Sequence, residues 1–142
     1  ADTVLPPDWV GTICVHAENT PNRAAAFRLS FKEDGLFPWL VSGWANLRSK
    51  WFDLPYGDQG LLISRALYDQ IGGHPDQPLM EDVAIARALK GRLVLLPGKV
   101  TTGAERYVEA GWLNRGARNL WTLVRYLLGA DPQKLARAYH KR

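Results

Sequence analysis

A chain of 142 residues, 46% hydrophobic and 23% charged, suits one domain with a hydrophobic core of its own. No apolar run approaches the ~20 residues needed to cross a bilayer, and no signal peptide is visible. The net charge of +4 is uneven: Arg115, Arg118, Arg125, Lys134, Arg137, Lys141 and Arg142 face the single acid Asp131 in residues 112–142, and the other residues are net −2. The single cysteine, Cys14, excludes an internal disulfide framework and fits a reducing compartment. It is expected to be a small buried hydrophobe. Six tryptophans call for a core or an interface.

In chain order, Pro6-Pro7-Asp8 signals a helix start, with Trp9, Val10 and Ile13 as its apolar positions. Asn19-Thr20-Pro21-Asn22 is a turn. From Ala24 to Phe31, Phe27, Leu29 and Phe31 alternate with Arg28 and Ser30, which predicts a strand with one wet face. Leu36, Leu40, Gly43, Trp44 and Leu47 follow at helical spacing. Leu54 to Gly60 is a loop, Leu61–Ile63 a short buried strand, and Arg65–Ile71 a helix closed by Gly72-Gly73. A helix over Glu81–Lys90 ends at Gly91, and a strand over Arg92–Leu96 stops at Pro97-Gly98. Val100–Thr102 is a further short strand. The last two helices span 108–128 and Pro132–Tyr139, parted by Gly129-Ala130-Asp131. Strands and helices in alternation predict an α/β fold with a small mixed sheet flanked by helices. Three or four short strands are few for so many helices. With the abrupt opening on Ala1-Asp2-Thr3, this leads us to expect that neighbouring strands belong N-terminal to this segment.

The stretch Pro78-Leu79-Met80-Glu81-Asp82-Val83 sets two adjacent carboxylates where a helix begins. Acids in a first turn complement the helix dipole, worth about 0.3–1 kcal/mol, and Asp is a good N-cap. A carboxylate at such a place, projecting into a cleft, also suits a general base.

Three features share one order. Ala1-Asp2-Thr3 and Leu5-Pro6 precede the first helix; Tyr56-Gly57-Asp58-Gln59-Gly60-Leu61 precedes Ile71-Gly72-Gly73-His74-Pro75; and Leu79-Met80-Glu81-Asp82 opens a later helix. This order resembles the second half of a family 2 glycosyltransferase of the GT-A fold. Its wording is closest to the radical-SAM/selenodomain-associated transferases. The resemblance runs from Ala1 to about Tyr139; His74 stands where that family usually has Phe.

The resemblance implies sugar transfer from a nucleotide-diphosphate donor to an acceptor hydroxyl with inversion. Asp82 would be the base, and Glu81 would orient the acceptor or tune Asp82. Asp2, the tail of a metal motif, would hold Mg²⁺ or Mn²⁺ on the diphosphate. Gly57, Asp58 and Gln59 would contact the acceptor, ordinary turn chemistry being the rival reading. Arg106 would lie near the diphosphate, against a plain surface arginine. Residues 1–107 would form the acceptor and catalytic half, and 108–142 the basic amphipathic helices. The competing class is a non-catalytic binding or membrane-associating module without the donor half; a nucleotidyltransferase is a weaker enzyme alternative. His16 and His74 have no metal-ligand neighbours in sequence and are read as non-catalytic, and Arg65 at a helix start as a phosphate or loop contact.

On a helical wheel, Trp112, Leu113, Ala117, Leu120, Trp121, Leu123, Val124, Leu127 and Leu128 share one half, with Arg115, Arg118, Asn119, Arg125 and Tyr126 on the other. The apolar face is expected to pack on the domain body, with a membrane interface or a homo-oligomer contact as rivals. Relatives acting on lipid-linked acceptors make the implied location cytoplasmic, at the inner face of a membrane. No nucleic-acid motif is present.

Overall fold

The computed structural model describes residues 3–140, side chains at 106, 109, 110 and 140 excepted. Helices and strands follow as α1 (Trp9–Asn19), β1 (Ala24–Phe31), α2 (Leu36–Phe52), a 3₁₀ turn (Gly57–Gln59), α3 (Arg65–Gln70), α4 (Glu81–Ala88), β2 (Leu93–Thr102), α5 (Glu105–Ala110), α6 (Trp112–Leu127) and α7 (Pro132–His140). Among the described residues none of these helices is long and apolar enough to cross a membrane.

The fold is mixed α/β around a two-stranded sheet in which β1 and β2 run parallel. Parallel strands are covered on both faces, and β1 shows why its sequence allows this. Ala24 and Ala26 meet Leu67 of α3 and Ile85 and Leu89 of α4 on one side. Ala25, Phe27 and Leu29 meet Ala45 of α2 and Leu96 and Val100 of β2 on the other. The expected wet face therefore begins only at Arg28; the three small alanines let helices approach from both sides.

Pro97-Gly98 does not stop the second strand. Pairing passes from Ala26–Leu95 to Arg28–Lys99, so Leu96, Pro97 and Gly98 bulge outward opposite Phe27. Proline's missing N–H falls where the ladder is already interrupted. Gly98 takes φ +102°, and a Cβ there would sit 3.3 Å from Pro6 Cγ, so both conformation and space require glycine. The two short strands expected over 92–102 are thus one. Leu61–Ile63 forms no strand of its own, pairing only at Leu62 with Ala25 in an antiparallel bridge; Val4 bridges Thr101 likewise. The antiparallel content expected of a mixed sheet is confined to these bridges.

Three further expectations are corrected. Cys14 is exposed, because α1 is tied down by its other side: Ile13 packs on the core and His16 is buried. The helix expected over 108–128 is two, parted at Gly111 with φ +78°, a conformation that an L side chain resists. Most importantly, α6 faces the opposite way from its hydrophobic pattern. Leu113, Leu120, Trp121, Leu127 and Leu128 are exposed, whereas Thr122 and Leu123 are buried and the polar residues around them face the body.

Candidate active site

An open cavity of about 670 Å³ lies between the 3₁₀ turn, the start of α4, the end of β2 and the helices α5 to α7. Its walls include Tyr56, Gly57, Asp58, Glu81, Asp82, Glu105, Tyr107, Arg115, Asn119 and Tyr139. Carboxylates from the 3₁₀ turn, α4 and α5 thus share one space with a guanidinium from α6.

Asp82 joins two motifs that are distant in sequence. Its Oδ2 accepts a hydrogen bond from the Gly57 backbone N–H at 3.0 Å, and its Oδ1 accepts from Val83 N–H at 2.8 Å. The carboxylate is therefore oriented from both sides while its residue lines the cavity. The residue ahead of the pair holds unusual backbone: Met80 caps α4 in the left-handed region, φ +65° and ψ +23°, with its side chain buried. An L residue kept there costs on the order of 1 kcal/mol or more, and such strain concentrates at functional sites. Neither Glu81 nor Asp82 is the N-cap; both lie in the first turn, where the helix dipole favours a negative charge.

The 3₁₀ turn is held rigidly from behind. Gln59 is fully buried, its Oε1 accepting from Tyr56 N–H and Ser49 Oγ–H and its Nε2 donating to the Phe27 carbonyl, each at 3.0 Å. Gln59 thus ties the turn to α2 and β1 instead of lining the cavity, as Gly57 and Asp58 do. A Cβ on Gly57 would stand 3.8 Å from the Asp82 carboxylate, an ordinary contact, so glycine here leaves that side of the carboxylate open without being sterically required.

Below Tyr56 lies a charged residue that sequence reading did not single out. Arg48 of α2 is 1% exposed, and its guanidinium carbon sits 3.3 Å from the Tyr56 ring centroid. None of its three guanidinium nitrogens has a hydrogen-bond partner among the described residues. Burial pushes its pKa down, opposed by Tyr56, Asp82 and Asp58. Burial pushes the Tyr56 phenol up, opposed chiefly by Arg48. A buried cation without an acceptor is costly, so the turn beside Asp82 rests on a concentrated positive charge.

The opposite wall is aromatic and polar. Phe31, Tyr107 and Trp112 form a cluster with centroids 5.0–5.4 Å apart. Asn119 donates to Tyr107 Oη at 3.3 Å and accepts from Tyr139 Oη–H at 2.9 Å, so one α6 side chain joins α5 to α7. Burial pushes the Tyr107 phenol up, partly offset by the Asn119 bond. Arg115 lies over Tyr107 at 5.5 Å and Arg118 over Tyr139 at 4.5 Å. The Nε of each arginine is buried without a partner among the described residues.

Of the residues singled out from sequence, Gly57, Asp58, Glu81 and Asp82 meet in the cavity. Asp2 lies outside the described residues, as does the side chain of Arg106, whose backbone is in α5. His16 is a structural residue, with Nε2 on the Arg23 carbonyl at 2.9 Å and Nδ1 on Thr20 Oγ1 at 3.0 Å. His74 is held by Tyr68. Arg65 pairs with Asp69 on the surface. Tyr107, Arg115, Asn119 and Tyr139 were not singled out. Their signal was the polar half of the 112–128 wheel, whose direction the wheel does not give.

Among the described residues no three His, Cys, Asp or Glu side chains converge to hold a metal ion. A Mg²⁺ or Mn²⁺ riding on a diphosphate would draw most of its shell from phosphate and water, with one or two carboxylates from the protein. No protein-family model, curated protein or solved structure matches this chain.

Proposed function

We propose that the cavity is the acceptor and catalytic side of an inverting glycosyltransferase of the GT-A type, with Asp82 as general base. The observation that carries this reading is the meeting of Gly57 and Asp82, 25 residues apart in sequence, at one oriented carboxylate on the cavity wall. A base must reach the proton it takes, about 2.6–3.2 Å away or through one water, and a carboxylate at an open cavity wall offers that access.

In the proposed step the acceptor hydroxyl oxygen bonds to the anomeric carbon and its proton passes to the Asp82 carboxylate. The bond from that carbon to the diphosphate oxygen breaks, and its electron pair leaves with the nucleoside diphosphate. Direct displacement from the opposite face inverts the configuration. Glu81 and Asp58 stand beside Asp82 to hold acceptor hydroxyls. Arg115 supplies positive charge within the same cavity for the departing diphosphate, where such charge acts most strongly if water is excluded. The Phe31–Tyr107–Trp112 cluster offers a flat apolar surface for a sugar or base ring. A divalent metal, with Asp2 as one ligand, remains part of the proposal.

Calorimetric titration of the chain with UDP and with GDP, each with and without Mn²⁺, tests the reading. Metal-dependent binding of one nucleotide is the expected result. No binding under any of the four conditions would overturn transfer by this chain and leave a binding module.

A further inference from the structure

The two long helices that flank the domain both turn apolar faces to solvent. On α2, Leu36, Leu40, Trp44, Leu47 and Trp51 recur at spacings of three and four, and all are exposed. Trp39 beside them is 69% exposed and Trp51 68%. On α6 the same is true of Trp121 at 64% and Leu128 at 82%, because the polar face is committed to the cavity. A helix with its apolar face outward and its polar face satisfied inside needs a partner for that outer face.

The charge pattern selects the partner. Residues 35–52 and 112–130 contain no Asp or Glu, and 132–142 contain none either. Lys50, Lys134 and Arg137 are exposed near these faces. A second copy of the chain, meeting this surface in an isologous contact, would set two acid-free basic segments against each other. An anionic surface would neutralise them. The residue type agrees: Trp favours the membrane–water boundary, where its ring is buried and its N–H stays wet.

We infer that α2 and α6 dock this domain onto an anionic lipid surface, their exposed tryptophans entering the headgroup–acyl boundary while the lysines and arginines meet the headgroups. This inference stands on the exposed faces and their charge, independently of the transferase reading. It is a peripheral contact, with neither helix crossing the bilayer.

Vesicle flotation with the full chain tests it, using phosphatidylcholine vesicles with and without phosphatidylglycerol. The wild type is expected to float with the phosphatidylglycerol vesicles and to be released by high salt, which screens the headgroup attraction. The triple variant Trp39→Ser/Trp51→Ser/Trp121→Ser is expected to lose flotation while keeping wild-type circular dichroism and melting. A second variant, Lys50→Gln/Lys134→Gln/Arg137→Gln, separates charge from insertion and is expected to lose the preference for phosphatidylglycerol. Absence of wild-type flotation, or flotation of the tryptophan variant at the wild-type level, overturns the inference. So does a sedimenting dimer that the tryptophan variant dissociates without any vesicle binding, since the occupant would then be a second copy.

Discussion

The sheet region and the C-terminal helices follow opposite rules. Around β1, hydrophobic pattern and burial coincide: Ala24, Ala26, Leu67, Ile85 and Leu89 make one cluster and are apolar throughout. In α6 they separate: Trp121 and Leu128 are in solvent, while Asn119 bonds two tyrosines and Arg115 lines the cavity. Amphipathicity shows that a helix has two environments, not which of them is the protein interior. Where the interior is a polar cavity, the polar face goes inward. The stability of the first region should rest on burial, and that of the second on hydrogen bonds.

Substitutions can break this contrast in order of size. Leu89 is fully buried between α3, α4 and β2, so Leu89→Ala should cost about 2–5 kcal/mol in denaturant unfolding. Asn119→Ala strips one acceptor and one donor from the phenols of Tyr139 and Tyr107, an expected loss of about 1–3 kcal/mol. A loss as large as that of Leu89→Ala, or none, would mean that α6 is not held through its polar face.

Alkaline melting tests the same wall without a cavity-forming mutation. Burial pushes Tyr56 and Tyr107 above the ordinary phenol value of 10.0, so the native state keeps a proton that the unfolded chain has already lost. That stabilisation is fully present below pH 10.0 and is lost as pH rises through the native values. Tyr107→Phe should therefore flatten the fall of Tm above this pH relative to wild type. An unchanged slope would place the Tyr107 phenol in solvent. Smallest of all, Trp121→Ser should change stability by no more than about 0.5 kcal/mol, as befits an exposed side chain, despite removing a tryptophan. A cost of several kcal/mol would bury Trp121 and contradict the inverted helix.

Much of this was legible in the residues. Periodicity located α2, α3, α4 and α7 to within a few residues, and the Gly57 and Glu81-Asp82 motifs do share a cavity. Breaks were less legible, because glycine and proline act through context. Pro97 passes through a strand because its missing donor falls in a bulge, whereas Gly111 divides a helix because it reverses the backbone. The site's far wall was hidden for another reason: Tyr107, Asn119 and Tyr139 become neighbours only when α5, α6 and α7 fold back on one another. Arg48 was hidden because a lone arginine on an amphipathic helix ordinarily faces water. Gln59 sits inside the motif and yet holds it from behind, which spacing alone does not distinguish from ligand contact.

The most direct test of transfer through Asp82 is the rate of nucleoside diphosphate release from UDP- and GDP-sugars with Mn²⁺ present, wild type against Asp82→Asn. A general base predicts a fall of about 10²–10⁴ in kcat, with the affinity for the nucleotide unchanged. Asparagine preserves shape and can still accept the Gly57 N–H bond through its amide oxygen, so folding should be retained. Wild-type turnover in Asp82→Asn would contradict the assignment outright.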